Sequence, residues 1–285
     1  MRIDRRAWLT EAALAAAGTS LFAGAARAAG RLRLGIVTYN VAKDWDFETV
    51  LKNVRAAGLE GVEFRTTHAH GVEPTLGAER RKEIRIRCRD AGLTLVSLGS
   101  VCEFQSPEKA VVERNVQSCR EFVLLARDIG ARAVKVRPNG LPDGVPVEKT
   151  LEQIGKALAE CGRFAADHGV EIWMEVHGRG TQEPAHSQRI MESCAHPSVG
   201  VTWNSNATDV ANGSVRDAYA RLGKYIRCCH IHELTDGYPY RELFSLLVAS
   251  RFDGFTLAEL PNSVPADEGA AFLKSYREAW QRLLG

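Results

Sequence analysis

Short β-branched segments alternate with longer segments of helical pattern from Arg31 onward, and this alternation constrains the fold more than any other feature of the chain. Strands that alternate with helices are typical of βα units, in which neighbouring strands run parallel. The chain contains eight such units. The predicted strands cover residues 31–39, 61–67, 93–100, 131–138, 170–178, 199–206, 225–234 and 254–261.

Eight βα units in about 255 residues have the usual size of a closed barrel. We therefore predict an α/β fold, a (β/α)8 TIM barrel that forms a single domain over residues 29–285. A doubly wound open sheet is the alternative, but no G-x-G-x-x-G turn follows the first strand. The Pro- and Gly-rich stretch 137–146 has the length of a βα loop rather than of a domain linker.

The balance of charge gives no sequence-wide reason to expect a polyanionic partner. Outside residues 1–28, which carry four arginines and two acidic residues, 33 basic and 33 acidic side chains remain. Nucleic acids and anionic membranes are bound mainly by clustered Lys and Arg. We therefore expect no nucleic-acid partner and no stable membrane anchor, although a local basic patch is compatible with this balance.

Residues 1–28 have the composition of a removable export signal. Paired arginines precede an Ala-rich apolar run, and Ala26-Arg27-Ala28 forms an A-x-A cleavage site. The run is too short and too weakly apolar for a good membrane span. The stretch DRRAWLT resembles the twin-arginine export motif, whose substrates cross the membrane folded. We therefore predict a twin-arginine-type signal peptide and a periplasmic protein; an amphipathic tether or a chance Ala-rich helix is the alternative.

Replacing Arg5 and Arg6 by lysine should leave the precursor in the cytoplasm, because the arginine pair is the feature that marks this export route. The exported form should begin near Ala29. Cell fractionation followed by N-terminal sequencing measures both. Unchanged export of the lysine variant would contradict the twin-arginine assignment.

The stretch RCCHIHEL, residues 227–234, contains the ligand types of a zinc site. Structural zinc usually takes thiolates from a C-x-x-C turn, and this spacing occurs nowhere in the chain. On a strand, Cys228, His230 and His232 face one side and the residues between them face the other. The stretch therefore supplies one or two ligands to a site completed by neighbouring strands. The seven scattered cysteines favour buried apolar thiols over a disulfide framework.

Catalytic residues of a (β/α)8 barrel come from the carboxyl ends of several strands, where residues two apart share a face. The inward polar residues at these ends are Glu63 and Arg65, Lys135 and Arg137, Glu175 and His177, Asn204 and Asn206, His230 and His232, and Glu259. Carboxylate and imidazole groups together suit Mn²⁺, Mg²⁺, Co²⁺ or Zn²⁺. The sequence therefore predicts a divalent metal site at this end of the barrel.

Four motifs at predicted strands five to eight identify the arrangement more closely: WMEVHG, VTWNSN, HIHEL and LAELP. It resembles the xylose isomerase-like TIM barrel superfamily of sugar isomerases and epimerases, over nearly the whole chain after the signal. The resemblance implies a divalent metal held by Glu175, Asn204, His230 and Glu259. The epimerases usually have Asp where this chain has Asn204. An amide oxygen still binds a cation but removes one negative charge, so a weaker site or a lost metal is the alternative.

The resemblance also implies a metal-dependent sugar isomerase or epimerase that abstracts a proton next to a carbonyl. Glu175 and Glu259 would then transfer protons on the two faces of the substrate. Trp203 or Trp45 would stack on a sugar face. The predicted substrate-binding residues are Lys135, Arg137, His177, His232, Arg65 and Trp203.

Other readings of the strand-end residues stay open. Glu63 is explained at least as readily as a structural partner of Arg65 or Lys135 as by a role in the chemistry of the site. His68 and His70, in the loop after the second strand, are equally consistent with substrate contact and with no role.

Three other functions remain open. An apurinic-site endonuclease of the same superfamily would need a His where this chain has Ala207. A lyase, dehydratase or hydrolase acting on keto-sugars or oxidised glycosides would use the same proton abstraction, and export favours it because phosphorylated sugars are scarce outside the cytoplasm. A non-catalytic carbohydrate-binding barrel follows if Asn204 prevents metal binding. The isomerase, the lyase or hydrolase and the carbohydrate-binding barrel would all bind a small sugar or sugar derivative. Each of these functions is compatible with a homo-oligomer.

Overall fold

A computed structural model describes residues 30–285, and within this range the chain forms a closed barrel of eight parallel strands, each followed by a helix. The strands are β1 (Leu32–Val37), β2 (Gly61–Arg65), β3 (Thr94–Gly99), β4 (Ala133–Val136), β5 (Glu171–Glu175), β6 (Val199–Asn204), β7 (Ile226–Ile231) and β8 (Gly254–Ala258). The helices are α1 (Phe47–Ala56), α2 (Ala78–Asp90), α3 (Lys109–Ile129), α4 (Val147–Asp167), α5 (Pro184–Cys194), α6 (Arg216–Leu222), α7 (Tyr240–Ala249) and α8 (Gly269–Leu284). The (β/α)8 barrel prediction is confirmed.

Each strand pairs with its neighbours in the sequence, and β1 closes the sheet by pairing with β8 from Leu32 opposite Gly254 to Ile36 opposite Ala258. Parallel closure brings all eight carboxyl ends to one mouth of the barrel. The observed strands end earlier than predicted, for example at Glu175 rather than at residue 178. The residues beyond them form the loops of that mouth. The predicted signal segment lies outside the described residues.

Local signals set the limits of the helices. The carboxylate of Asp46 accepts a hydrogen bond from the backbone N–H of Thr49 at 2.8 Å and so caps the start of α1. Gly58 follows α1 with φ +72° and Gly169 follows α4 with φ +69°. Glycine adopts this left-handed conformation without the strain that a Cβ brings, so each helix ends where the next strand begins.

The inward face of the barrel changes from apolar to polar along the strands. A small interior cluster contains Val37, Val96, Ala133, Trp173, Cys228, Phe255 and Leu257. Four members of this cluster are followed, two residues later in the chain, by a polar residue that also points inward: Lys135, Glu175, His230 and Glu259. Cys228 belongs to the interior cluster and Cys229 to the outer core, as the strand alternation predicts. The apolar layer therefore closes the barrel beneath a polar mouth.

All seven cysteines are buried with free thiols. None of the helices in residues 30–285 is both long and apolar enough to cross a membrane.

Candidate active site

The predicted strand-end residues meet around one cavity at the carboxyl mouth of the barrel, with a volume of about 400 Å³. Its walls include Arg65, Lys135, Arg137, Glu175, His177, Asn204, Asn206, His232 and Glu259. Glu63 and His230 are fully buried beneath it. A larger groove of about 650 Å³ between α3 and α4 contains none of these residues, so the chemistry lies at the mouth.

Glu175, Asn204, His230 and Glu259 bring together atoms that can bind a metal ion, and these four side chains form the donor cluster. Donor atoms of Glu175, His230 and Glu259 lie within 4.8 Å of one another. Nδ1 of His230 is 3.2 Å from Oε2 of Glu259 and 3.8 Å from Oε1 of Glu175. The amide Nδ2 of Asn204 donates to Oε1 of Glu175 at 3.2 Å. The structure thus brings together the four residues of the predicted metal set.

Two atoms of this cluster lack partners. Oδ1 of Asn204 and Nδ1 of His230 are buried and make no hydrogen bond among the described residues; the 3.2 Å contact of Nδ1 with Oε2 of Glu259 does not have the geometry of a hydrogen bond. Buried polar atoms are rarely left unpaired, and both of these atoms are good ligands for a cation. Three oxygen donors and one imidazole suit Mn²⁺, Mg²⁺, Co²⁺ or Zn²⁺. Glu175, Asn204, His230 and Glu259 therefore fit a divalent cation.

Glu63 orients the histidine of the cluster from below. Its Oε2 lies 3.3 Å from Nε2 of His230 and accepts a hydrogen bond from Oγ of Ser97 at 2.5 Å. A carboxylate at Nε2 holds the imidazole proton there and leaves the lone pair of Nδ1 free for a cation. The sequence suggests Arg65 or Lys135 as partners of Glu63. In the structure Glu63 contacts His230 and Ser97 directly, and its charge also favours the charged forms of Arg65 and Lys135.

Lys135 forms a buried ion pair with one of the carboxylates. Its Nζ lies 2.7 Å from Oε2 of Glu175, and the two side chains are only 3% and 4% exposed. Burial alone would raise the pKa of Glu175, but Lys135 and His230 together outweigh it and lower this pKa to about 2. Burial likewise opposes the charge on Lys135, but the carboxylates of Glu175, Glu63 and Glu259 together raise the pKa of Lys135 above its usual value. The pair therefore stays ionised.

The remaining charges concentrate around the imidazole. Burial alone would lower the pKa of His230, but the carboxylates of Glu259 and Glu63 raise it well above its usual value. Without a cation the ring therefore holds a second proton at Nδ1, and a cation bound there would replace that proton. Nε2 of His232 lies 3.6 Å from Oε2 of Glu259. Negative charge thus surrounds His230, which is the electrostatic setting that favours a bound cation.

Trp203 and Trp45 are not part of the cavity wall. Trp203 is buried in the outer core, where its Nε1 donates to the hydroxyl of Tyr238 at 3.0 Å. Trp45 is also buried, and its Nε1 donates to the carbonyl of Val264 at 2.8 Å. Sugar stacking by either residue does not fit this placement. Trp203 follows the inward Thr202 and precedes the inward Asn204, so the alternation that placed Asn204 inside also sends Trp203 outside.

His70 has a structural environment. It is buried, its Nε2 lies 2.9 Å from the carbonyl of Arg65, and its Nδ1 accepts the backbone N–H of Val72 at 3.0 Å. Burial lowers the pKa of His70 to about 4, so the ring is neutral. Nδ1 of His68 lies 3.0 Å from the carbonyl of Thr38. The two histidines thus hold the loop that follows β2.

Several residues of the mouth were not found from the sequence. Tyr39, Gln182, Glu233 and Asp236 line the cavity from loops. Asp209 lies behind the wall, where its Oδ2 accepts hydrogen bonds from the Tyr238 hydroxyl at 3.0 Å and from the backbone N–H of Asn206 at 2.9 Å. Loop residues have no periodicity that reveals the direction of a side chain, so no sequence signal identified them.

Comparison with known proteins agrees with this geometry. The chain belongs to the xylose isomerase-like TIM barrel family, whose model matches residues 51–276. Its structure is similar to that of L-ribulose 3-epimerase, with a TM-score of 0.74, 20% sequence identity and coverage of 89% of this chain and 95% of the other. No curated protein matches the chain in sequence.

Two further structures share the fold at lower sequence identity. The 3-keto-D-glucoside 4-epimerase of E. coli has a TM-score of 0.71, 13% identity and coverage of 89% of this chain and 99% of the other. The IOLI protein with a bound zinc atom has a TM-score of 0.70, 14% identity and coverage of 88% and 96%. At these identities the likeness establishes the fold.

Asn204→Asp should tighten the binding of a divalent cation, because it adds a negative charge at an atom that already faces the donor cluster. Calorimetric titration with Mn²⁺ measures the affinity. Asn206→Asp is the matched control: it adds the same charge to the cavity wall, but its side chain points to the carbonyl of Val176, at 2.7 Å. Equal or weaker binding by Asn204→Asp would mean that Asn204 does not contact the cation.

Proposed function

We propose that the protein is a metal-dependent sugar isomerase or epimerase that works by proton abstraction next to a carbonyl. The observation that carries this proposal is the meeting of Glu175, Asn204, His230 and Glu259 at the mouth, with two unpartnered ligand atoms among them. Family membership supports it, as does the likeness in fold to two proteins named as sugar epimerases. The signal-like segment 1–28 supports a periplasmic location for this activity.

The cavity suits a substrate the size of a monosaccharide. Its volume of about 400 Å³ lies near the lower end of the range for small-molecule sites. His177, Asn206 and His232 contribute hydrogen-bonding groups to the wall, and sugar hydroxyls both donate and accept hydrogen bonds. These three residues would orient the sugar over the donor cluster.

Two carboxylates can serve the two faces of such a substrate. Glu175 ends β5, and Glu259 follows β8 on the other side of β6 and β7. The side chain of Glu259 is 13% exposed and reachable from the cavity, and Lys135 keeps Glu175 ionised. One carboxylate takes a proton from the carbon next to the carbonyl, and the other returns a proton from the opposite face, which inverts the configuration.

The residues around the carboxylates keep them in place. Glu63 holds a proton on Nε2 of His230, and the amide of Asn204 positions Oε1 of Glu175. A divalent cation held by Glu175, Asn204, His230 and Glu259 would offset the negative charge that develops on the substrate oxygens.

Deuterium exchange tests the proposal. The purified protein is incubated in D₂O with a panel of keto-sugars, after chelation and after addition of Mn²⁺, Mg²⁺, Co²⁺ or Zn²⁺, and mass spectrometry measures deuterium bound to carbon. We expect exchange that depends on the added metal, with or without net conversion. Exchange accompanied by loss of water or of an alcohol would assign a lyase, dehydratase or hydrolase instead. No exchange with any sugar would indicate a carbohydrate-binding barrel.

A further inference from the structure

Arg65 brings an unpaired positive charge to the cavity. It ends β2, lines the wall, and has no carboxylate oxygen within 4.0 Å among residues 30–285. The one hydrogen bond of its guanidinium group within that range runs from Nη1 to the carbonyl of its neighbour Thr66, at 3.1 Å. A guanidinium group has five N–H donors, so most of those of Arg65 are available to a ligand.

Arg137 is a second guanidinium group on the same wall, and a network behind it fixes its position. Its Nε and Nη2 lie 3.1 and 3.0 Å from Oε1 of Glu103. Asn139 donates to the same oxygen at 2.7 Å, and Gln105 donates to Oε2 of Glu103 at 3.2 Å. Nη1 of Arg137 makes no hydrogen bond to the part of the chain that the structure describes. Glu103 therefore orients this group without using all of its donors.

The absence of a side chain at the end of β3 leaves room for the stem of Arg65. Gly99 pairs with Arg65 on one side and with Lys135 on the other, so it separates β2 from β4. A Cβ on Gly99 would lie 2.8 Å from Oε1 of Glu63 and 3.2 Å from Cδ of Arg65, which shows that both side chains lie against this glycine. Burial and the charge of Arg137 both lower the pKa of Arg65, although Glu63 and Glu175 oppose this. An anion would relieve the repulsion.

We infer that the substrate is a sugar acid, whose carboxylate binds to Arg65 and Arg137 on the β2 to β4 side of the cavity. The inference rests on the proposed function, since it assigns a sugar to this same site. A planar guanidinium group matches a carboxylate with two parallel hydrogen bonds. Neither nearby carboxylate forms an ion pair with Arg65. Glu175 pairs with Lys135, and Oε2 of Glu63 binds Ser97, while Oε1 of Glu63 makes no hydrogen bond to the described residues and lies more than 4.0 Å from the nitrogens of Arg65.

A carboxylate fits this cavity better than a phosphate. Phosphate sites of (β/α)8 barrels frequently lie at the loops after the seventh and eighth strands. In this protein the loop after β7 contributes Glu233 and Asp236 to the cavity wall, and both are acidic. These acidic residues would repel a phosphate dianion. The single carboxylate of a sugar acid would instead lie at the opposite wall, beside the two arginines.

Calorimetric titration of the full protein tests the inference with D-fructuronate, D-fructose and D-fructose 6-phosphate as probes. D-Fructuronate should bind at least about tenfold tighter than D-fructose, because hydrogen bonds to a charged group are stronger than those to a hydroxyl. It should also bind tighter than D-fructose 6-phosphate. Arg65→Gln should remove most of this preference, and Arg65→Lys should keep only the part that depends on charge.

Arg179→Gln is the matched control. This arginine follows β5 at the same mouth, but it is 80% exposed and pairs with Asp143 at 3.1 Å, so its loss should leave the preference unchanged. If Arg65→Gln does not fold, as judged by circular dichroism, Arg137→Gln provides the same test. Equal binding of acid and neutral sugar, tighter binding of the phosphate, or an unchanged preference in these variants would overturn the inference. Binding does not require turnover, so a failure of deuterium exchange with an intact acid preference would overturn only the proposed function.

Discussion

Glu175→Gln and Glu259→Gln should each lower the rate of turnover and of deuterium exchange by about 100- to 10,000-fold, the usual contribution of general acid–base catalysis. Glutamine keeps an oxygen that can bind a cation but cannot accept the proton. The two carboxylates lie at the ends of different strands, and in the proposed mechanism each serves one face of the substrate. Single-turnover kinetics with the sugar that exchanges best measures the loss.

Two comparisons separate proton transfer from metal binding and from folding. His230→Ala should act mainly through metal occupancy, so excess cation should restore part of its activity but not that of the glutamine variants. Glu171→Gln is the matched control, since Glu171 starts the strand that Glu175 ends and lies at the opposite end of the barrel, paired with Arg132 at 3.0 Å. If both glutamine variants turn over and exchange deuterium at the wild-type rate, the carboxylate mechanism is wrong.

Lys135→Met should destabilise the protein by about 3 to 5 kcal/mol, the usual effect of removing one partner of a buried ion pair. The variant leaves the carboxylate of Glu175 buried without its ammonium partner, which lies at 2.7 Å in the wild type. Urea unfolding of the metal-free protein measures the free energy of unfolding. Added Mn²⁺ should recover part of the loss, because a cation at the cluster also compensates the charge of Glu175.

A surface ion pair of the same length provides the control for this variant. Nζ of Lys156 lies 2.7 Å from Oε1 of Glu152, but the two side chains are 71% and 48% exposed. Lys156→Met should leave the free energy of unfolding nearly unchanged, since water screens exposed pairs. Equal effects of the two variants would mean that burial does not determine the strength of the Lys135 pair.

The sequence predicts most of this site because strand alternation is regular. Eight repeated units indicated a barrel, and residues two apart at the strand ends pointed to the same interior, where Glu175, His230 and Glu259 now meet. Alternation needs only local backbone geometry, which the sequence pattern reveals directly. The same rule, applied to Trp203, excludes it from the cavity.

Contacts across the barrel and within loops could not be predicted in this way. Glu63 on β2 reaches His230 on β7, and these strands are not neighbours, so their contact depends on the radius and tilt of the closed barrel. Glu103, in the loop after β3, contacts Arg137 and Asn139 in the loop after β4, where Asn139 adopts φ +60°. Such loop conformations are set by tertiary contacts rather than by a repeating pattern.

The order of the strands divides the mouth into two halves with different duties. The first four strands and their loops contribute the two arginines, whereas the last four contribute the donor cluster. Under the proposed function, preference for one sugar over another could therefore change during evolution through the first half while the proposed proton chemistry in the second stays the same. The ion pair of Lys135 with Glu175 joins the two halves. A chimaera that takes strands β1 to β4 from a relative must therefore carry a lysine at position 135, or a bound metal ion must compensate the charge of Glu175.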